Sequence, residues 1–109
     1  MNATTTPRSS VSTDAHVDTA ATREVLLEVL MERRNQVDRH GWTPAHDDEH
    51  AFFDFAWLIG RRAIEMCNPM TADAVDVRRL FVEMAAISVA AIESFDRKET
   101  SEAEADQTG

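Results

Sequence analysis

The run Leu80–Ile92, LFVEMAAISVAAI, constrains this chain more than any other segment, because it holds a single charged residue, Glu83. Read at helical spacing, Val77, Phe81, Met84, Ser88, Ala91 and Phe95 step by four and three, a heptad-like seam. Leu80, Ala85, Val89 and Ile92 form a second seam beside the first. A helix that is apolar around nearly its whole girth has to be covered on several sides. The run is too short to span a bilayer, which needs about 20 apolar residues. Protein has to supply the cover.

The chain has 109 residues, enough for one domain. Two further helical segments precede the apolar one. The first is expected from about Thr19 to Arg39, with Ala21, Val25, Leu26, Val29, Leu30 and Val37 as its apolar stripe and Glu24, Glu28 and Glu32 on a solvated side. His40-Gly41 should end it, glycine being the common residue just past a helix C-terminus. The second is expected to start at Asp47 or Asp48, as N-cap, and to reach Met66 or Cys67. Its stripe reads Phe52, Phe55, Ala56, Ile59, Ala63, Met66 and Cys67, and Asn68-Pro69 breaks it. Thr71 can cap the third helix, with Asp73 and Asp76 in its first turns, where the helix dipole favours acids. The expected architecture is all-α: three main helices in a bundle, completed by a homodimer or higher homo-oligomer meeting through Ala85, Ala86, Ala90 and Ala91.

The ends differ in character. Residues 1–17 are rich in Thr and Ser without apolar periodicity, and residues 98–109, KETSEAEADQTG, are acidic and polar. Both are expected to be disordered tails around a helical domain at 18–97. The formal net charge is −9, which disfavours nucleic-acid backbone or an anionic membrane as a partner. One cysteine, Cys67, excludes an intramolecular disulfide and reads as a buried apolar thiol. No basic stretch followed by an apolar run opens the sequence, so a cytoplasmic location is expected.

The stretch GWTPAHDDEH (41–50) carries two His and three acids within five residues. His46 and His50 are four apart, a spacing that puts two ligands on one helix face. The H-E-x-x-H order of a zinc peptidase is absent, and carboxylates without thiolates suit a hard ion such as Mg²⁺. The same residues serve equally as a capped helix start, with Asp47, Asp48 and Glu49 on the free N–H groups. His50, Asp54, Trp57 and Arg61 fall on one helix face: the acid suits a metal, the indole a base, the guanidinium a phosphate. A plain helix flank with an Asp54–Arg61 pair explains them too. Glu83, alone on its apolar helix, has to be paired or metal-bound. It can meet Arg61-Arg62, an Arg of a twin subunit, or the acids of the second helix across a shared ion.

Two segments, ERRNQVDRHGWTPAHDDEH (32–50) and RRLFVEMAAISVAAIESFDR (78–97), resemble a group of small phage and bacterial proteins. These carry E-R-x-x-Q followed by G-W-T-P-x-H-D-D-x-H, and end in an apolar helix closing with I-E-x-x-D-R. That group is in turn distantly similar to MazG-like all-α nucleotide pyrophosphohydrolases. The resemblance implies a helical oligomer that holds Mg²⁺ through acids on two helices and cleaves nucleoside triphosphates to monophosphates. Asp54 stands where the group tends to have an acid after the HDDxH string, and Glu83 lies on the helix that supplies the second acidic set. Asp48, His50, Asp54 and Glu83 are then the metal residues, with Asp54 and Glu83 catalytic. Trp42 and Trp57 would contact the base, and Arg61 a phosphate. Two departures stand out: the paired E-x-x-E of a MazG second helix is missing, and Leu80 stands where relatives tend to carry an acid. The alternative is a non-catalytic helical protein that sequesters a nucleotide or inhibits a host protein through its acidic surface.

Overall fold

A computed structural model describes residues 16–68, 70 and 73–108, which form four α-helices and no strand. α1 is Thr19–His40, α2 Pro44–Asp48, α3 Phe52–Met66 and α4 Ala74–Thr108. The all-α expectation holds for these residues, with one short helix more than expected. Residues 1–15 lie outside the described residues, as does Thr71, the expected cap of α4.

Each helix end has an identifiable cause. The Asp18 carboxylate caps α1 by accepting from the Ala21 N–H at 3.2 Å. Gly41 closes α1 at φ 70°, the left-handed region that costs a side chain about 1–2 kcal/mol. Its N–H donates to the Val37 carbonyl, the 5→1 bond of an αL ending, and the Trp42 N–H donates to the Gln36 carbonyl. That ending turns Trp42 back over the helix, where His40 packs on the indole at 4.9 Å between ring centroids. Thr43 caps α2 through its hydroxyl, which accepts from the His46 N–H, and Pro44 takes the first helical position. Asp73 caps α4 by accepting from the Asp76 N–H.

The second helix starts later than the sequence suggests. Asp47 and Asp48 end α2 instead of capping α3, and the chain bends through Glu49–Ala51 before α3 begins. Both carboxylates are drawn into tertiary contacts. Asp47 meets Arg33 of α1 at 2.8 Å; Asp48 accepts from Ser94 and Arg97 of α4. Asp54 takes over as the acid at the start of α3 and accepts from the Ala51 N–H at 3.0 Å.

α4 is the common neighbour: α1, α2 and α3 each pack on it, and among the described residues no other pair of helix backbones comes into comparable contact. Contacts fix the directions. Glu28 meets Arg78 and Gln36 meets the Glu83 carbonyl, so α1 runs parallel to α4. Arg62 meets Glu83, while Phe55 packs with Ile87 and Ala90, so α3 runs antiparallel. α2 crosses near Ser94 and Arg97. Ala86 and Ala90 are buried in this arrangement. Two of the four alanines expected at a dimer contact thus lie inside the subunit, where their small side chains let neighbouring helices approach.

The α3 stripe is also rotated from expectation. Phe55 is buried, with Leu58 and Ile59 packed beside it, whereas Phe52 is 81% exposed and Cys67 is exposed. Over 98–108, part of the expected acidic tail, α4 continues to Thr108 with exposed side chains over 98–106. Glu and Ala over Glu99–Ala105 favour helix by intrinsic propensity, without burial. No helix among the described residues is long and apolar enough to cross a membrane.

The Arg33–Asp47 pair is nearly dry, Asp47 being 3% and Arg33 9% exposed. Removing one partner strands a buried charge, which costs about 3–5 kcal/mol. Asp47→Ala should lower the unfolding free energy by about that amount in urea titration. The double variant Arg33→Met/Asp47→Leu, which leaves no stranded charge, should lose clearly less.

Candidate functional site

Where the C-terminus of α1, the bend after α2 and the start of α3 meet the middle of α4, they enclose a cavity of about 460 Å³. That size falls in the range of small-molecule sites, about 300–1,000 Å³. Ile87 and Ala90 of α4 with Phe55 and Leu58 of α3 form an apolar floor. Trp42, Phe53 and Trp57 add aromatic walls, and His46, His50 and Asp54 make a polar edge.

The polar edge is organised by local sequence. His46 on α2 and His50 in the bend face one another with their Nε2 atoms 3.2 Å apart. Behind them, His50 Nδ1 lies 3.4 Å from an Asp54 oxygen and His46 Nδ1 lies 3.7 Å from an Asp47 oxygen. The edge of the Phe55 ring supports His50 from the floor. A His-x-x-x-His spacing thus brings the two imidazoles together even though the helix ends between them.

Gln36 lies opposite. It is 1% exposed, and its Nε2 donates to the Glu32 carboxylate and the Glu83 carbonyl. Its Oε1 is buried and has no hydrogen-bond partner within the protein. A buried acceptor left unmatched costs about 1–3 kcal/mol.

Of the residues expected to form a site, His50, Asp54, Trp42 and Trp57 line this one cavity. The other three do not line it. Arg61 lies over the Trp57 ring, its guanidinium 5.8 Å from the centroid. Asp48 is gripped by Arg97, with both carboxylate oxygens engaged at 2.8 and 3.0 Å, and it accepts from the Ser94 hydroxyl. Glu83 pairs with Arg62 at 2.9 Å and lies 3.5 Å from Arg79, one of the two roles open to it from the sequence. Among the described residues, no three His, Cys, Asp or Glu side chains come together in a way that could hold a metal ion. Magnesium is held by oxygen ligands in near-octahedral geometry. With the Asp48 and Glu83 carboxylates committed to guanidinium groups, the set Asp48, His50, Asp54 and Glu83 does not fit Mg²⁺ in this arrangement.

Gln36, His46 and Asp47 also belong to the site, and sequence reasoning gave Gln36 no role in it. A signal was present. Val29, Arg33 and Gln36 follow one another at helical spacing, so two polar residues continue the phase of a buried apolar one. Compared with known protein families, with curated proteins and with solved structures, the chain finds no match.

The Asp48 contact has a pH signature. Hydrogen bonds from Arg97 and then Ser94 hold the Asp48 carboxyl below its ordinary value of 3.8. A depressed carboxyl contributes stability in full above the ordinary value and loses it as pH falls through the lower folded value. Arg97→Ala should therefore melt below the wild type at pH 7, and the gap should narrow as pH is taken below 3.8, followed by circular dichroism.

Proposed function

We propose that this protein is a homodimeric helical module that binds a nucleotide through its base, without turning it over. The observation that carries this reading is Gln36 Oε1, an unpartnered acceptor on a buried side chain that lines the cavity. Buried polar groups are rarely left unmatched unless a ligand or water completes them. Asp54 adds a second acceptor on the polar edge, and Trp42, Phe53 and Trp57 offer flat surfaces for stacking. A planar ring with N–H donors, such as a base with an exocyclic amine, matches both features. Segments 32–50 and 78–97 resemble small phage and bacterial proteins that are distantly similar to MazG-like pyrophosphohydrolases, a likeness that suggests the same ligand class. Binding is favoured over hydrolysis because Asp48 and Glu83, the acids hydrolysis would use beside Asp54, are each held by arginine.

The dimer rests on what the chain leaves uncovered. Phe81 and Phe95, both on the heptad-like seam of α4, are 57% and 59% exposed. Leu26, Leu30 and Met31 of α1 are exposed as well. The Glu28–Arg78 contact holds this part of α1 beside the start of α4. Helices α1 and α3 pack on other sides of α4 and leave Phe81 and Phe95 of this seam exposed, while Val77, Met84, Ser88 and Ala91 are half-buried. A second copy presents the same seam, which makes the contact self-complementary under a two-fold axis.

Tryptophan fluorescence and thermal melts with adenosine, guanosine, cytidine and uridine nucleotides test the binding site. An amine-bearing base should quench fluorescence and raise the melting temperature, since a ligand selective for the native state stabilises it. Gln36→Leu should lose this response; because it removes the bonds to Glu32 and the Glu83 carbonyl along with the unmatched acceptor, its melt without nucleotide is the reference against which the response is read. Absence of quenching and of any melting shift at millimolar nucleotide would overturn the reading. Release of pyrophosphate with Mg²⁺, abolished by Asp54→Asn, would replace it by the hydrolase. For the assembly, sedimentation equilibrium should give twice the 12.2 kDa chain mass, and Phe81→Glu should return the monomer.

A further inference from the structure

We propose that His46 and His50 form a binding site for a divalent transition-metal ion of the zinc type. Zinc binds imidazole nitrogen at about 2.0–2.1 Å, so two nitrogens on one tetrahedral ion are about 3.3 Å apart. The His46 and His50 Nε2 atoms are 3.2 Å apart. The ring centroids are separated by 4.5 Å, more than the nitrogens, so the two Nε2 edges converge.

The surroundings fit the same purpose. A metal-bound imidazole keeps its proton on the other nitrogen and is commonly oriented there by a carboxylate. Asp54 lies 3.4 Å from His50 Nδ1, and Asp47 lies 3.7 Å from His46 Nδ1. His46 Nδ1 is buried and has no hydrogen-bond partner, so the carboxylate oxygen beside it is the group that would stabilise a proton there. Without metal, one Nε2–H donates to the other Nε2. On binding, that proton moves to Nδ1 of the same ring, both Nε2 lone pairs go to the metal, and no net proton is released. Imidazole pairs favour Zn²⁺, Cu²⁺ or Ni²⁺ over Mg²⁺. The protein supplies two ligands, and the remaining positions fall to water.

The site is distinct from the Mg²⁺ set expected from the sequence, since it uses His46 and leaves Asp48 and Glu83 to their arginines. It also stands apart from the nucleotide reading, because the probe is Zn²⁺ alone and no base is present in the experiment. Untagged protein is titrated with ZnCl₂ by calorimetry near pH 7.5, with MgCl₂ in parallel. One Zn²⁺ per chain is expected, with no heat from Mg²⁺. His46→Ala and His50→Ala should each weaken binding at least tenfold, and Asp54→Asn about tenfold, as expected for a carboxylate that orients a ligand. Because both histidines are partly exposed, melts without metal should show the alanine variants folded. A second measurement needs no variant: in the wild type, Zn²⁺ should protect His46 and His50 from diethylpyrocarbonate while His16 and His40 stay reactive. Failure of the wild type to bind Zn²⁺, equal binding by the double variant His46→Ala/His50→Ala, or protection of none of these histidines would overturn the proposal.

Discussion

The buried pair between Arg33 and Asp47 organises the upper half of this molecule. One guanidinium nitrogen reaches the carboxylate at 2.8 Å and another reaches the Trp42 carbonyl at 2.9 Å. A single side chain on α1 thus fixes the residue that ends the turn, the helix that follows it and the indole between them. Desolvating such a pair is costly, and hydrophobic replacements of equal volume are often as stable. Its contribution lies in position: with Arg33 in place, α2 crosses α4 near Ser94 and Arg97, and His46 and Asp47 both line the cavity.

The cavity follows from that placement. α1 and α3 approach α4 from different flanks in opposite directions, and the bend between α2 and α3 bridges the space above Ile87 and Ala90. The aromatic walls come from the turn and from α3, while the histidine edge comes from α2 and the bend. Three segments that are continuous in sequence, 36 to 58, therefore supply nearly the whole lining. Only Ile87 and Ala90 of the floor are distant in the chain. A site built this way is assembled by local folding and completed when the neighbourhood docks on α4.

That division explains which parts were legible in the sequence. The three main helices and the Gly41 ending are local signals that reappear in the structure, whereas the expected apolar stripes do so only in part, since Leu26, Leu30 and Phe52 are exposed. His50, Asp54 and Trp57 were singled out because their spacing puts them on one helix face, and Trp42 because of the resemblance of segment 32–50. The roles of Asp47 and Asp48 were not legible, because each is decided by an arginine 14 or 49 positions away; for Glu83 a pair with Arg61-Arg62 was among the alternatives, and Arg62 takes it. Capping chemistry and ion pairing draw on the same residue types, so HDDEH reads as a helix start until Arg33 and Arg97 are placed. The α3 phase shift has a similar cause: an amphipathic stripe with more apolar residues than one neighbour can cover leaves its facing side undetermined.

The ion pairs along α4 lie at three heights: Glu28 with Arg78, Arg62 with Glu83, and Asp48 with Arg97. Between them the contact surface includes Ala86 and Ala90, side chains too small to interlock strongly with a neighbour. A neighbour sliding by one turn along such a smooth surface would trade one alanine contact for another at little cost. The charges remove that degeneracy, because a slip of about 5.4 Å would carry every acid beyond its guanidinium. Stability in this fold comes from apolar surface, but the vernier that selects one alignment out of several is electrostatic.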